Sequence, residues 1–332
     1  MRTFPSAHAR AAAFALVAGT ASFGGGAVAA SVECIVPSKP GGAMDLTCKL
    51  ARQGLQAAAS PSSAPPAAIR ISYMPGGVGA VAWNALVSQR RAEPDTLVAF
   101  SGGSLLNLAL GKFGKVKATD VRWVAALGAD YGMIAVRADS PYKTLADLVQ
   151  AFKRDPSRIL IGVSGTIGSQ DWLKIALVLK TAGVDPRRLR FVALEGGGEA
   201  FTAMHANHVQ VVSGDASEAT LNATVSTTRV LAVLSEQRLP GALAGVPTAR
   251  EQGVDVVWPI IRGVWMGPQV SETDYRNWVR RFDDMMATPE FAATRARYGL
   301  YPFSLTGDAL TAHVKKAVDD YGRRAAEFSL VR

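Results

Sequence analysis

Short apolar runs alternate with stretches whose apolar residues recur every three or four positions, along most of the chain. Runs bounded by Gly, Pro or Ser predict strands, and the longer periodic stretches predict helices. Strands are expected at 32–36, 69–74, 97–100, 121–127, 133–136, 159–163, 189–194, 209–213, 230–234 and 258–266. Helices are expected at 44–58, 80–88, 105–110, 145–153, 170–181 and 200–206, and in two C-terminal stretches. Thr144 with Asp147 reads as a capping box, and Ser271 with Asp274 caps the first C-terminal helix. The last helix carries Leu310, Val314, Ala317, Tyr321, Ala325 and Phe328 on one face.

This alternation predicts an α/β fold with mainly parallel sheets flanked by helices. Pro and Gly punctuate two places where the chain can cross between lobes, 131–141 and 247–259. Two crossings give one lobe from both ends, 31–135 plus 260–332, and a second from the middle, 136–259. A ser/pro/ala-rich loop is expected at 59–67.

Residues 1–30 combine Arg2 and Arg10, a short apolar stretch and a run of small residues ending at Ala29-Ala30. That pattern reads as a cleavable export signal, too short to span a membrane. A length of 332 residues suits about two domains. With 48% hydrophobic and 19% charged residues, the composition is globular. The net charge of +9 comes from scattered Lys and Arg, which together with export argues against nucleic acid and leaves small anions as partners. Two cysteines, Cys34 and Cys48, cannot build a metal site without nearby histidines. They either pair or stay as two buried thiols. A helix layer about 10 Å from a sheet is wider than a disulfide spans, so pairing requires a local pinch.

The chemistry lies in five Gly-rich turns that lead from strands into helices. They are Lys39-Pro-Gly-Gly-Ala-Met-Asp45, Pro75-Gly-Gly-Val-Gly79, Ser101-Gly-Gly-Ser104, Ser164-Gly-Thr-Ile-Gly-Ser169 and Glu195-Gly-Gly-Gly-Glu199. Ligands of open α/β sheets bind outside the carboxyl ends of the strands. Helix N-termini offer N–H groups and partial positive charge to anions. One such turn is an ordinary connection, whereas five point to a carboxylate or phosphate site. Gly77-Val-Gly79-Ala-Val-Ala82 matches a dinucleotide fingerprint but lacks the acid expected on the next strand. Gly162-Val-Ser164-Gly-Thr166 nearly makes a nucleophile elbow, with Thr166 where glycine belongs. A hydrolase would use Ser164 or Ser169 with His205, His208 or His313, none placed by a motif.

At these turns the chain resembles the substrate-binding receptors of tripartite tricarboxylate transporters, the Bug family of periplasmic proteins. The resemblance runs through Cys34-Ile-Val-Pro-Ser-Lys-Pro-Gly-Gly-Ala-Met-Asp-Leu-Thr-Cys-Lys49, Tyr73-Met-Pro-Gly-Gly-Val-Gly-Ala80 and Phe100-Ser-Gly-Gly-Ser-Leu-Leu-Asn107. It continues in Gly168-Ser-Gln-Asp-Trp172, Pro247-Thr-Ala-Arg-Glu-Gln-Gly253 and Trp258-Pro-Ile-Ile-Arg-Gly263. The first and last of these are similar to the tricarboxylate branch, with Ala43 where a third glycine is common. The resemblance implies a two-lobed, type II-like periplasmic binding protein with its ligand cleft between the lobes. It implies a tricarboxylate such as citrate as ligand, the transporter's membrane subunits as partners, no cofactor, no catalysis, and a monomer. The implied ligand contacts are Lys39, Gly41 and Gly42 in the first turn, Gly76 and Gly77 in the second, and Ser101 and Ser104. Tyr131, Thr166, Ser169, Gln170, Asp215 and Arg262 complete the set. Asp215 would accept a ligand hydroxyl, and Arg262 would grip a carboxylate in bidentate fashion. An exported hydrolase and a carboxylate sensor signalling through a membrane kinase are the alternatives.

Overall fold

The computed structural model describes Met1 and residues 31–58, 68–222 and 227–330. The expected export signal (beyond Met1) and the expected loop at 59–67 lie outside the described residues. In chain order the elements are β1 (Glu33–Val36), α1 (Ala43–Ala57), β2 (Arg70–Tyr73), α2 (Ala80–Ser88), β3 (Thr96–Ser101) and α3 (Gly102–Ala109). Then come β4 (Arg122–Arg137), α4 (Leu145–Arg154), β5 (Leu160–Ser164), α5 (Gln170–Thr181), β6 (Arg190–Leu194), α6 (Gly197–His205), β7 (Val211–Asp215) and α7 (Ala216–Asn222). The chain ends with β8 (Thr228–Leu234), β9 (Pro259–Met266), α8 (Glu272–Met286), α9 (Pro289–Arg297), β10 (Leu305–Thr306) and α10 (Gly307–Ala326).

The strands run in the order β2-β1-β3-β9-β4-β7-β5-β6, with β8 and β10 also paired to β4. The expected parallel pairing holds on both flanks: β1 lies parallel to β2 and β3, and β5 parallel to β6 and β7. The middle is antiparallel, because β4 and β9 are the strands that travel between the flanks.

β4 corrects the sequence reading. Two strands were expected there, and one strand of 16 residues forms. Its first part pairs with β9 and its second with β7 and β8. The Gly128-to-Gly132 stretch, which reads as a break, stays extended because its unusual residues have partners. Register shifts between Trp123 and Ala125 and between Ala126 and Gly128 absorb the irregularity. The Asp130 carboxylate is neutralised inside the protein by Arg262. A Cβ on Gly132 would sit 2.7 Å from Lys174 Cδ, so glycine makes room for that side chain. Gly263 on β9 is needed for the same kind of reason: a Cβ there would meet the Ala125 carbonyl oxygen at 2.0 Å. That close approach sets the neighbouring Arg262 against β4.

The Cys34–Cys48 pairing that the sequence leaves open is a disulfide in the structure, with Cα atoms 5.7 Å apart. α1 is therefore drawn close to β1 at that point. Closing a loop of this size contributes about 3 kcal/mol. Both sulfurs are buried in the core that α1, α8 and β9 share. Among the described residues no helix is long and apolar enough to cross a membrane, and no group of His, Cys, Asp or Glu could hold a metal ion.

Candidate ligand-binding site

Four helices begin around one cavity of about 80 Å³ at the carboxyl ends of the strands: α1 at Gly42, α3 at Ser101, α5 at Ser169 and α6 at Gly196. α3 and α5 begin there for a local reason. The Ser101 hydroxyl accepts the Gly103 N–H at 3.2 Å, while Ser104 Oγ accepts the Ser101 N–H at 3.3 Å. Ser169 Oγ accepts the Trp172 N–H at 3.3 Å. These are N-caps, worth about 1 kcal/mol each. A hydroxyl that accepts a cap bond keeps its own proton to donate, so capping and ligand binding are compatible. The first and last glycine turns touch: a Cβ on Gly198 would sit 2.8 Å from the Gly41 carbonyl carbon. Gly41 itself has φ +86°. Val78, also in the cavity wall, has φ +55°, a left-handed conformation that costs a residue with a side chain about 1–2 kcal/mol.

The structure gathers Gly42, Ser101, Ser104, Ser169, Gln170 and Asp215 around this cavity. It places the other sequence candidates elsewhere. Lys39 and Gly41 line a separate surface pocket with Gly198 and Glu199, where Lys39 Nζ meets Glu199 Oε1 at 3.0 Å. Gly76 and Gly77 hold the turn, but Val78 is the residue that reaches the cavity. Thr166 is exposed, and its carbonyl accepts the Ser169 N–H. Tyr131 lines a different cavity with Pro259, Ile260 and Tyr321 and packs edge-on against Tyr301.

Arg262 is fully buried beneath the cavity and does not line it. Its Nε and Nη2 donate to Asp130 Oδ2 at 2.8 and 2.6 Å, and Nη2 also donates to Asp215 Oδ2 at 2.6 Å. On the other side of Asp215, Lys174 Nζ donates to Asp215 Oδ1, to Asp171 Oδ1 at 2.7 Å and to the Gly214 carbonyl at 2.7 Å. The result is a buried chain, Asp130–Arg262–Asp215–Lys174–Asp171, which ties β4 and β9 to β7 and α5. Burial would push the Asp215 carboxyl up, but Lys174 and Arg262 hold it below the ordinary carboxylate range. Burial keeps Asp130 and Asp171 above theirs, despite Arg262 and Lys174 respectively.

Sequence reasoning missed Asn107, Asp171, Lys174 and Glu218. Lys174 had a signal: it is a lone cation in an apolar helical run, and such a residue must find buried partners. Glu218 follows Asp215 by three residues, a spacing that also reads as helix capping. Its Oε1 accepts the Ala43 N–H at 2.8 Å across the cavity. Burial pushes the Glu218 carboxyl up to about 8, with Asp215 and Asp171 adding to the effect.

A family model described as "Tripartite tricarboxylate transporter family receptor" matches residues 111–324. A comparison with curated proteins finds no match. Among solved structures, the periplasmic binding protein BugD is 18% identical with a TM-score of 0.80, over 91% of this chain and 98% of that one. Rpa4515 of R. palustris, solved with adipate, is 19% identical with a TM-score of 0.79, over 89% and 96%. MatC from Rhodopseudomonas palustris, solved with bound malate, is 18% identical with a TM-score of 0.74, over 89% and 98%. The likeness establishes the two-lobed periplasmic binding protein fold.

Proposed function

Because this chain belongs to the receptor family of tripartite tricarboxylate transporters, we propose that it captures a small carboxylic acid in the periplasm and delivers it to the transporter's membrane subunits. Four helix N-termini converging on one cavity carry this reading. Their N–H groups bind an anion without a dedicated cation. Residues 31–135 with 260–332 act as one lobe and 136–259 as the other, closing over the ligand between them. Ser101 and Ser104 donate from the first lobe, and Ser169 from the second. In this reading no bond is made or broken: His205 is hydrogen-bonded to Thr228 and His313 packs on Phe303, which engages two of the three histidines that a hydrolase could use.

Citrate, an example of the tricarboxylate class that the family description names, has three carboxylates. The two cations that would meet them already have carboxylate partners: Arg262 holds Asp130 and Asp215 through Nε and Nη2, leaving only its buried Nη1 unpartnered, and Lys39 meets Glu199. The charge balance therefore favours a dicarboxylate or hydroxydicarboxylate over citrate. MatC with malate and Rpa4515 with adipate are family-like precedents of that size. The test is a thermal-shift panel of citrate, malate, succinate, adipate, amino acids and sugars on ligand-stripped protein. At 100 times its dissociation constant a ligand adds about 2.7 kcal/mol to folding. A shift with malate or succinate larger than with citrate supports this order. A shift with sugars alone would sink the carboxylate reading.

A further inference from the structure

An acid-lined cavity is an odd receptacle for an acid, and the position of Glu218 offers a resolution. Glu218 lies on α7, is 3% exposed, and reaches across to the start of α1. Its Oε1 takes the Ala43 N–H at 2.8 Å, and its Oε2 lies 3.4 Å from the Asp215 N–H. Two glycine turns make the space: a Cβ on Gly197 would meet Oε2 at 2.1 Å, and one on Gly42 would lie 3.5 Å from Oε1. A carboxyl group thus sits where two helices begin, on the N–H that a ligand carboxylate would seek.

We propose, building on the carboxylate-receptor reading above, that the ligand carboxylate takes the Ala43 N–H from Glu218, and that Glu218 takes one proton from solvent and donates it to the ligand.

Two further observations support a proton in the cavity. Asn107 Oδ1 and Gln170 Oε1 are buried in its wall without a hydrogen-bond partner, although Asn107 is 2% and Gln170 7% exposed. Their amide orientations are fixed, because Asn107 Nδ2 donates to the Val78 carbonyl and Gln170 Nε2 to Asp215. Two acceptors in the wall therefore lack a donor. The surrounding charges act in the same direction. Asp215 on β7, Asp130 on β4 and Asp171 on α5 face Lys174 on α5 and Arg262 on β9, three acids against two cations. On α6, Glu199 is held by Lys39. Bringing in a dianion without a proton would place like charges side by side. The raised affinity of Glu218 for its proton, with half-ionisation near 8, agrees with the geometry.

The test is calorimetric titration of the full mature chain with L-malate at pH 8.5, where both malate carboxylates are ionised, in buffers of different ionisation enthalpy. Wild type should take up about half to one proton per malate, and its affinity should fall about tenfold per pH unit above the Glu218 midpoint. Glu218→Gln keeps a donor that needs no proton, so it should bind malate with no uptake and little pH dependence. Malate binding to wild type with no proton exchange overturns the inference and leaves the receptor reading intact. Equal uptake by wild type and Glu218→Gln also overturns the role of Glu218. L-aspartate binding at least tenfold tighter than malate, without uptake, would show that the acceptors read an ammonium group, and this too overturns it. If neither malate, citrate nor adipate binds either protein, the receptor reading fails and the inference with it. Should Glu218→Gln not fold, Glu218→Ser serves in its place, and the wild-type proton count alone remains decisive against the idea.

Discussion

Lys39 and Arg262 are the two cations that the sequence sets beside the cleft, and they live in opposite environments. Lys39 meets Glu199 in a separate surface pocket, with side chains 49% and 34% exposed. Arg262 meets Asp130 and Asp215 under the floor, with no exposed surface. Water and salt screen the first pair, so it is worth little to stability. The second pair has given up its hydration and cannot lose one member without stranding the others. Two cation–carboxylate contacts therefore do different work: the surface pair links the first and last glycine turns loosely, while the floor chain fixes the crossing strands to the cleft residue Asp215.

Arg262→Ala should show the largest effect. It leaves Asp130 and Asp215 buried and short of a counter-charge, at a cost of about 3–5 kcal/mol. Urea unfolding monitored by circular dichroism measures this, and a loss below about 1 kcal/mol would erase the contrast with Lys39. A second effect is expected from pH at Glu218. Its carboxyl titrates near 8 in the folded protein against an ordinary value of 4.5. A raised carboxyl adds stability in its protonated form, which is fully present below the ordinary value and lost as pH rises toward the folded one. The melting temperature of wild type relative to Glu218→Gln should therefore fall between about pH 5 and pH 8 and level off above. A difference that rises with pH would mean that Glu218 is stabilised as the carboxylate. Lys39→Ala should matter least, by about 0–1 kcal/mol, with the change vanishing in molar salt. A salt-independent loss above about 2 kcal/mol would place Lys39 with the floor chain instead.

The sequence carried the outline of the cleft, because turn chemistry is local. Ser101 and Ser169 start helices for reasons readable within four residues, and both line the cavity. What it hid depended on partners distant in sequence. Asp130 and Tyr131 are neighbours on β4, and a strand sends neighbours to opposite faces. Asp130 consequently joins Arg262 beneath the cleft, while Tyr131 lines another cavity with Pro259 and Tyr321. Nothing local says which face is which. The net charge of +9 likewise suggested an electropositive site. Charge summed over a chain says nothing about its distribution, and here acids gather at the cavity wall while Arg262 and Lys174 are consumed behind it. The Cys34–Cys48 bridge was equally undecided in sequence, since it depends on how closely α1 approaches β1.

The central claim is that this cleft captures a small carboxylic acid through helix N-termini. Calorimetric titration of ligand-stripped wild-type protein with malate, succinate and citrate tests it most directly. Saturable one-to-one binding is expected, tighter for a four-carbon diacid than for citrate, with the acid recovered unchanged. Absence of binding to all three acids, or chemical conversion of a bound one, would contradict it.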